Sequence, residues 1–111
     1  MYRIIEKFKA MGDENRFRIL MMLLIRPLCV CELLEVLDIK GGTLSAHLKL
    51  LKNAGIISQK KEGRWIIYSI SSPETKRFLD KTKKDIYDGS IIEKDSELIR
   101  KISREICSTD R

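Results

Sequence analysis

The chain contains few of the side chains that enzymes and membrane proteins depend on. It has one histidine, His47, which leaves little from which to build a nucleophile activated by a base and an orienting group. The longest apolar run, Ile19 to Ile25, is too short to span a bilayer. The N-terminus lacks the basic, apolar and small-residue order of a signal peptide. These absences favour a cytoplasmic protein that is not an enzyme.

Acidic side chains are nearly missing from the middle of the chain. The net charge is +6, but residues 1–39 carry six basic and six acidic side chains, and residues 66–111 carry ten and nine. Residues 40–65 carry six basic side chains against Glu62 alone, a local excess of +5. A basic run often belongs to a solvated surface, but it can also bind phosphates by displacing condensed counterions. The middle of the chain is therefore the first candidate for a nucleic-acid contact.

The hydrophobic pattern predicts a single domain that is mainly α with a β-hairpin. Apolar residues recur at helical spacing over most of the chain, while Arg64–Ile70 alternates with a period of two, typical of a strand. A short helix followed at once by a basic hairpin is typical of a winged helix-turn-helix. We predict helices over about Tyr2–Met11, Glu14–Ile25, Cys29–Leu37, from Thr43 to before Gly55, from Pro73 to about Tyr87 and around residues 98–106, with strands over Ile57–Lys61 and Arg64–Ile70. The domain, residues 1–111, would comprise a helix-turn-helix at about 29–55, a wing at about 56–70 and C-terminal helices at 73–107.

The polar side of the helix that begins near Thr43 provides the candidates for reading DNA. Leu44, Leu48 and Leu51 form its apolar stripe, so the intervening polar side chains face outward. Hydroxyl and imidazole groups can bind base edges or phosphates, and lysine and arginine suit phosphates. The predicted DNA-binding residues are Thr43, Ser45, His47 and Lys49 on the helix and Lys60, Lys61 and Arg64 on the wing. For His47, local packing against a neighbouring turn is the alternative.

Cysteines are few: Cys29, Cys31 and Cys107. Taken singly, each would be a small buried apolar residue. Cys29 and Cys31 follow Pro27 at a predicted helix start, where free N–H groups and the helix dipole lower a thiol pKa and favour the thiolate, which selects soft ions. Residues two apart on a regular helix point about 200° away from each other. We therefore expect one ion to bind both sulfurs only if the first turn unwinds, which would weaken DNA binding.

Three stretches together resemble the ArsR/SmtB family, the arsenical- and metal-responsive winged-helix repressors of prokaryotes. Ala10–Leu20 is similar to the family's opening pattern, and Thr43–Tyr68 to its recognition helix and wing. Leu28–Leu33, with the letters L-C-V-C-E-L, looks like the arsenic-sensor box of one branch. The resemblance implies a homodimer that binds operator DNA, represses transcription and leaves when an ion binds. It also implies that the first and last helices pair across the dimer axis.

For the ligand, the resemblance implies As(III) or Sb(III) bound in a three-coordinate sulfur site that includes Cys29 and Cys31. Leu34 stands where a common version of the box has a third cysteine, so the third sulfur would come from Cys107 of either subunit or from an external thiol.

Other ligands fit the sequence less well. Residues 72–107 contain no histidine for the family's zinc site, and we interpret Asp95, Glu97 and Glu105 as solvated or helix-start residues. Cadmium or lead remains possible, although cadmium sensors of this group usually add an N-terminal cysteine and residues 1–28 have none. Sensing of thiol oxidation, a regulator without a metal effector, and Cys107 as an incidental thiol stay open.

Overall fold

The structure is a computed structural model that describes residues 2–86 and 91–103. Within those residues, helices form the body of the domain and a three-stranded antiparallel sheet with the order β1-β3-β2 lies at one side. The elements are α1 (Tyr2–Met11), α2 (Glu14–Ile25), β1 (Leu28–Cys29), α3 (Val30–Val36), α4 (Gly41–Asn53), β2 (Ile57–Glu62), β3 (Trp65–Ile70), α5 (Pro73–Ile86) and α6 (Ile91–Lys101). This arrangement confirms the predicted winged helix-turn-helix.

Helix α2 occupies the centre of the domain. Its residues Ile19, Leu20, Met21, Met22 and Leu23 are buried, as expected for a helix that is apolar around most of its girth. The helix begins where predicted, because the Asp13 carboxylate accepts a hydrogen bond from the backbone N–H of Arg16 at 3.1 Å. No helix in residues 2–86 or 91–103 combines the length and apolar character needed to span a bilayer.

The prediction that Cys29 begins the third helix is wrong. Leu28 and Cys29 form the short edge strand β1, which pairs with β3 through Leu28 opposite Tyr68 and Cys29 opposite Ile67. Cys29 has the extended backbone angles φ −93° and ψ 168°, and α3 begins only at Val30. Pairing with a strand almost 40 positions further along the chain decides this conformation, and local spacing does not reveal it.

Helix α4 has the predicted buried stripe of Leu44, Leu48 and Leu51. It begins at Gly41, two residues before the predicted start at Thr43, because the carbonyl of Lys40 already accepts a helical hydrogen bond from the N–H of Leu44 at 3.0 Å. Its end is a Schellman motif, in which the N–H of Ile56 donates to the carbonyl of Leu51 at 3.1 Å. Gly55 provides the left-handed residue of that motif, with φ 78°, which agrees with the predicted end of the helix before Gly55.

The wing hairpin has a two-residue turn at Gly63 and Arg64, one position later than predicted. Glu62 pairs with Trp65 across it. Gly63 has φ 62°, while the described non-glycine residues all have negative φ. A glycine with positive φ at the first turn position is typical of a type II′ turn, whose twist matches that of paired strands. The tight turn places Arg64 at the tip of the wing.

The C-terminal helices close the domain over α2. Helix α5 starts at Pro73 as predicted, because the N–H of Thr75 donates to Ser72 Oγ at 3.2 Å. On α6, Ile92 and Ile99 are buried. The interpretation of Asp95 as a solvated residue is wrong: it is buried and accepts hydrogen bonds from Arg18 Nε at 2.8 Å and Arg18 Nη2 at 3.0 Å. The predicted helical positions Ile106 and Cys107 lie outside the described residues.

Candidate DNA-binding surface and cysteine site

The outer face of α4 presents polar and basic side chains to solvent. Thr43, Ser45 and Lys49 are exposed, while the leucine stripe on the opposite side is buried. Ser45 and Lys49 are four positions apart and therefore lie on the same side of the helix. This face has the groups that could bind base edges and phosphates, and contact of these three residues with DNA stays a prediction.

His47 lies in a different environment from the other predicted residues of α4. Its side chain is 14% exposed, and its Nδ1 accepts a hydrogen bond from Arg16 Nη1 at 3.2 Å. This bond requires a neutral ring with the proton on Nε2, which lies 3.9 Å from Asp13 Oδ2. Arg16 Nε in turn donates to the carbonyl of Ala10 at 2.6 Å. The histidine thus ties α4 to the junction of α1 and α2, and a DNA contact by His47 stays a prediction.

The wing carries three exposed basic side chains. Lys60 and Lys61 lie on β2, and Arg64 lies in the turn. The guanidinium carbon of Arg64 is 5.0 Å from the centroid of the Trp65 ring, which is a cation–π distance. Trp65 is half-buried at the base of the turn. The three cations therefore extend the basic surface beyond α4, with Arg64 held against an aromatic ring.

The two neighbouring cysteines lie together on the outer face of the sheet. Successive residues of a strand point to opposite faces, so Leu28 joins the main core while Cys29 packs with Ile67 of β3. Cys31 and Trp65 pack against that pair. The expectation that the two sulfurs point away from each other around one helix is therefore wrong, because Cys29 is in extended backbone rather than on the helix.

The Cys29 thiol is also less acidic than expected. Burial raises the pKa of Cys29 above 9.0 and outweighs the backbone N–H groups of Glu32 and Cys31, which lower it, while the charge of Glu32 raises it further. Its side chain is buried, at 2% exposure. Proximity to a helix start therefore does not make Cys29 a thiolate.

Cys31 is disulfide-bonded, whereas Cys29 is not part of a disulfide. Cys107, the third predicted ligand, lies outside the described residues. Within residues 2–86 and 91–103, no three side chains of His, Cys, Asp or Glu form a group that could hold a metal ion. A sulfur site built on Cys29 and Cys31 would thus need reduction of Cys31 and a third ligand from elsewhere.

Sequence reasoning missed a charged network beside the cysteines. The N–H of Cys29 donates to Glu32 Oε1 at 3.0 Å, and Glu32 Oε2 lies 2.9 Å from Arg26 Nη2. Arg26 Nη2 donates its two hydrogen bonds to the carbonyls of Ile99 and Ile102, at 3.0 and 2.9 Å. Its contact with Glu32 Oε2 is therefore an ion pair without a hydrogen bond. A glutamate three positions after the N-cap is a recognisable capping signal, but nothing in the sequence marks Arg26.

The family model described as "Bacterial regulatory protein, arsR family" matches residues 13–59. The arsenical resistance operon repressor of Escherichia coli (strain K12) is 33% identical over 107 residues, which are 96% of this chain and 90% of that protein. The chain belongs to the ArsR family.

Two further similarities agree with this ArsR-family assignment. The cadmium resistance transcriptional regulatory protein CadC homolog of Staphylococcus aureus is 37% identical over 75 residues, 67% of this chain and 62% of that protein, so the match spans less than two thirds of its length. Reduced HlyU from Vibrio cholerae N16961 resembles the structure with a TM-score of 0.74 and 32% identity, covering 78% of this chain and 92% of that chain. The chain is a DNA-binding transcriptional regulator of the ArsR type and not an enzyme.

Proposed function

We propose that the chain is a cytoplasmic repressor that binds operator DNA as a homodimer and is released when the thiols of Cys29 and Cys31 bind a soft metal or metalloid. The observation that carries the proposal is the direct strand pairing of Cys29 with the wing, through Ile67. A chemical change at the cysteines would thereby reach the basic surface that faces DNA. The names of relatives that control arsenical and cadmium resistance support a metal inducer.

The proposed DNA contacts are the exposed residues of α4 and the wing. Thr43 and Ser45 would enter the major groove, and Lys49, Lys60, Lys61 and Arg64 would contact phosphates, with Arg64 also able to enter a minor groove. Their concentration within residues 40–65, where the charge is +5, supports this assignment. The same chemistry predicts that affinity falls steeply as salt rises.

The proposed dimer would use the apolar side of α1 together with α6. Ile4, Ile5 and Phe8 are 57%, 42% and 55% exposed, and Leu98 of α6 is 45% exposed. An isolated subunit would leave this apolar surface in water, which favours its burial against a second copy. Phe8→Asp should shift the sedimentation mass from dimer to monomer, and an unchanged mass would argue against this interface.

Arsenite suits a protonated thiol such as Cys29. Each thiol that replaces a hydroxide of As(OH)3 gives its proton to that hydroxide, so two thiols release two waters and no free proton. Cd(II) must instead displace the proton into solvent, which makes its binding weaker as the pH falls. The raised pKa of Cys29 therefore favours arsenite or antimonite over cadmium or lead at neutral pH. Cys107 is proposed as the third sulfur ligand.

Thiol oxidation is a second candidate, favoured by the disulfide at Cys31. Because Cys29 is not disulfide-bonded and the sequence has three cysteines, we propose Cys107 as the partner of Cys31. A peroxide would take two electrons and two protons from the two thiols and become two waters. In this version, formation of the disulfide rather than binding of an ion would release the DNA.

One experiment separates the two candidates. Reduced protein bound to operator DNA is treated with arsenite, antimonite, cadmium, lead or zinc under a thiol-free reductant, and in parallel with hydrogen peroxide after the reductant is removed. If the metalloid proposal is right, arsenite or antimonite should release the wild-type protein from operator DNA. The Cys29→Ser variant should bind operator DNA with unchanged affinity but should no longer be released. Oxidation sensing would be supported instead if the ions had no effect and peroxide released the Cys29→Ser variant from operator DNA. The Cys31→Ser variant should then stay bound in the presence of peroxide.

A further inference from the structure

We propose that the cysteine cluster controls DNA binding through the wing, with Trp65 and Arg64 as the relay, and not through α4. The inference rests on the proposed function, because it describes how a chemical change at the thiols would reach the wing and weaken DNA binding. The cysteine cluster is defined here as Cys29, Cys31, Ile67 and Trp65, which pack together on the outer face of the sheet.

The first step of the relay is the sheet itself. Cys29 lies opposite Ile67 in the antiparallel pairing of β1 with β3. Trp65 is two residues before Ile67 and therefore points to the same face of β3. Both β3 side chains pack in the cluster with Cys29 and Cys31. A ligand that draws the two sulfurs together must therefore change the packing of Trp65.

The second step runs from the ring to the wing tip. Arg64 is exposed, and its guanidinium carbon lies 5.0 Å from the Trp65 ring centroid. An arginine on a tight turn would otherwise sample many rotamers, and the ring restricts that freedom. A fixed guanidinium at the tip binds a phosphate or enters a minor groove at a lower entropic cost. Displacing Trp65 would release Arg64 from this position.

Lys61, on the same hairpin, provides a matched comparison for Arg64. Lys61 is exposed on β2 and pairs with Ile66, whose neighbours in β3 are the cluster residues Trp65 and Ile67. Ile66 itself points to the opposite face of the strand from those two. Lys61 thus shares the charge and the hairpin of Arg64, without its cation–π contact to Trp65.

The test compares Arg64→Ala with Lys61→Ala in the full-length protein. Operator affinity is measured by fluorescence anisotropy on reduced protein with and without saturating arsenite, and the ratio of the two dissociation constants is the release factor. Both variants should bind operator more weakly, by about threefold to tenfold for one lost phosphate contact. Lys61→Ala should keep the release factor of the wild type, whereas Arg64→Ala should lose at least two thirds of it.

A second readout uses the single tryptophan. Arsenite titrated into reduced protein without DNA should change Trp65 emission over the same concentrations that cause release, and the change should be absent in Cys29→Ser. An unchanged emission at saturation, or an Arg64→Ala variant with the full release factor, would overturn the relay while leaving the repressor assignment intact. Failure of the wild type to respond to arsenite at all would overturn the metalloid proposal and this inference together.

Discussion

Arg16 Nη1 donates a hydrogen bond of 3.2 Å to His47 Nδ1, although the two residues are 31 positions apart. The predicted groove-binding helix is thereby tied to the junction between α1 and α2. Arg16 also donates to the carbonyl of Ala10 at the end of α1. If α4 binds DNA as proposed, its position there depends on a contact made behind its exposed face.

A double-mutant cycle distinguishes the two roles of His47. If His47 acts by holding α4 against Arg16, then His47→Ala and Arg16→Ala should lower operator affinity in a non-additive way, with a coupling of about 0.5–1.5 kcal/mol. The measurement is operator binding by wild type, both single variants and the double variant. Additive losses would instead mean that His47 contacts DNA independently of Arg16.

Features set by neighbouring residues were predictable from the sequence. Asp13 caps α2, Gly55 ends α4, and Ser72 with Pro73 starts α5, because capping and turn chemistry need only local backbone groups. The leucine stripe of α4 was predictable for the same reason, since helical periodicity places it on one face.

Features set by distant partners were not predictable. Arg18 and Asp95 are 77 positions apart, and the strand conformation of Cys29 depends on β3. The acidity of Cys29 was misjudged because a helix start lowers a thiol pKa, whereas burial under Ile67 and its neighbours raises it more. The exposure of Thr43, Ser45 and Lys49 was predictable, because it follows from the same periodicity that buries the leucines of α4, and their contact with DNA stays a prediction.

The buried pair of Arg18 and Asp95 should contribute strongly to stability. Their side chains are only 13% and 3% exposed, so Asp95→Ala leaves a buried guanidinium without its partner. We expect a loss of about 3–5 kcal/mol in the free energy of unfolding. Glu97→Ala, an exposed position on the same helix, should change it by less than about 0.5 kcal/mol. Urea unfolding checks both, and equal effects would contradict the importance of the ion pair.

The cap at Asp13 should make stability depend on acid. The backbone N–H of Arg16 lowers the pKa of Asp13 below its ordinary value, and the charge of Arg16 acts in the same direction. A depressed folded-state pKa stabilises the fold above the unfolded value and loses that contribution as the pH falls through the folded value. Asp13→Asn keeps a capping oxygen without the charge, so it should be slightly less stable near neutral pH and should match the wild type once the pH is well below the lowered pKa of Asp13.

Asp13→Ala provides the comparison for the cap itself. It removes both the charge and the acceptor for Arg16 N–H, and should cost about 1 kcal/mol at neutral pH. Thermal or urea unfolding at several pH values gives all three curves. If the difference between wild type and Asp13→Asn stayed constant down to strong acid, the charge of Asp13 would not be the source of the effect.

The raised pKa of Cys29 predicts slow alkylation at neutral pH. In a variant with Cys31→Ser and Cys107→Ser, Cys29 is the single thiol, and burial keeps it protonated to a higher pH than an exposed thiol. The rate of its alkylation by iodoacetamide should be well below the rate for the same variant unfolded in urea. The rate of the folded variant should also still rise with pH in the range where the rate of the unfolded variant has become constant. Burial also restricts access, which lowers the rate at every pH but does not move the midpoint. A midpoint below that of the unfolded chain would show that the start of α3 does stabilise a thiolate at Cys29.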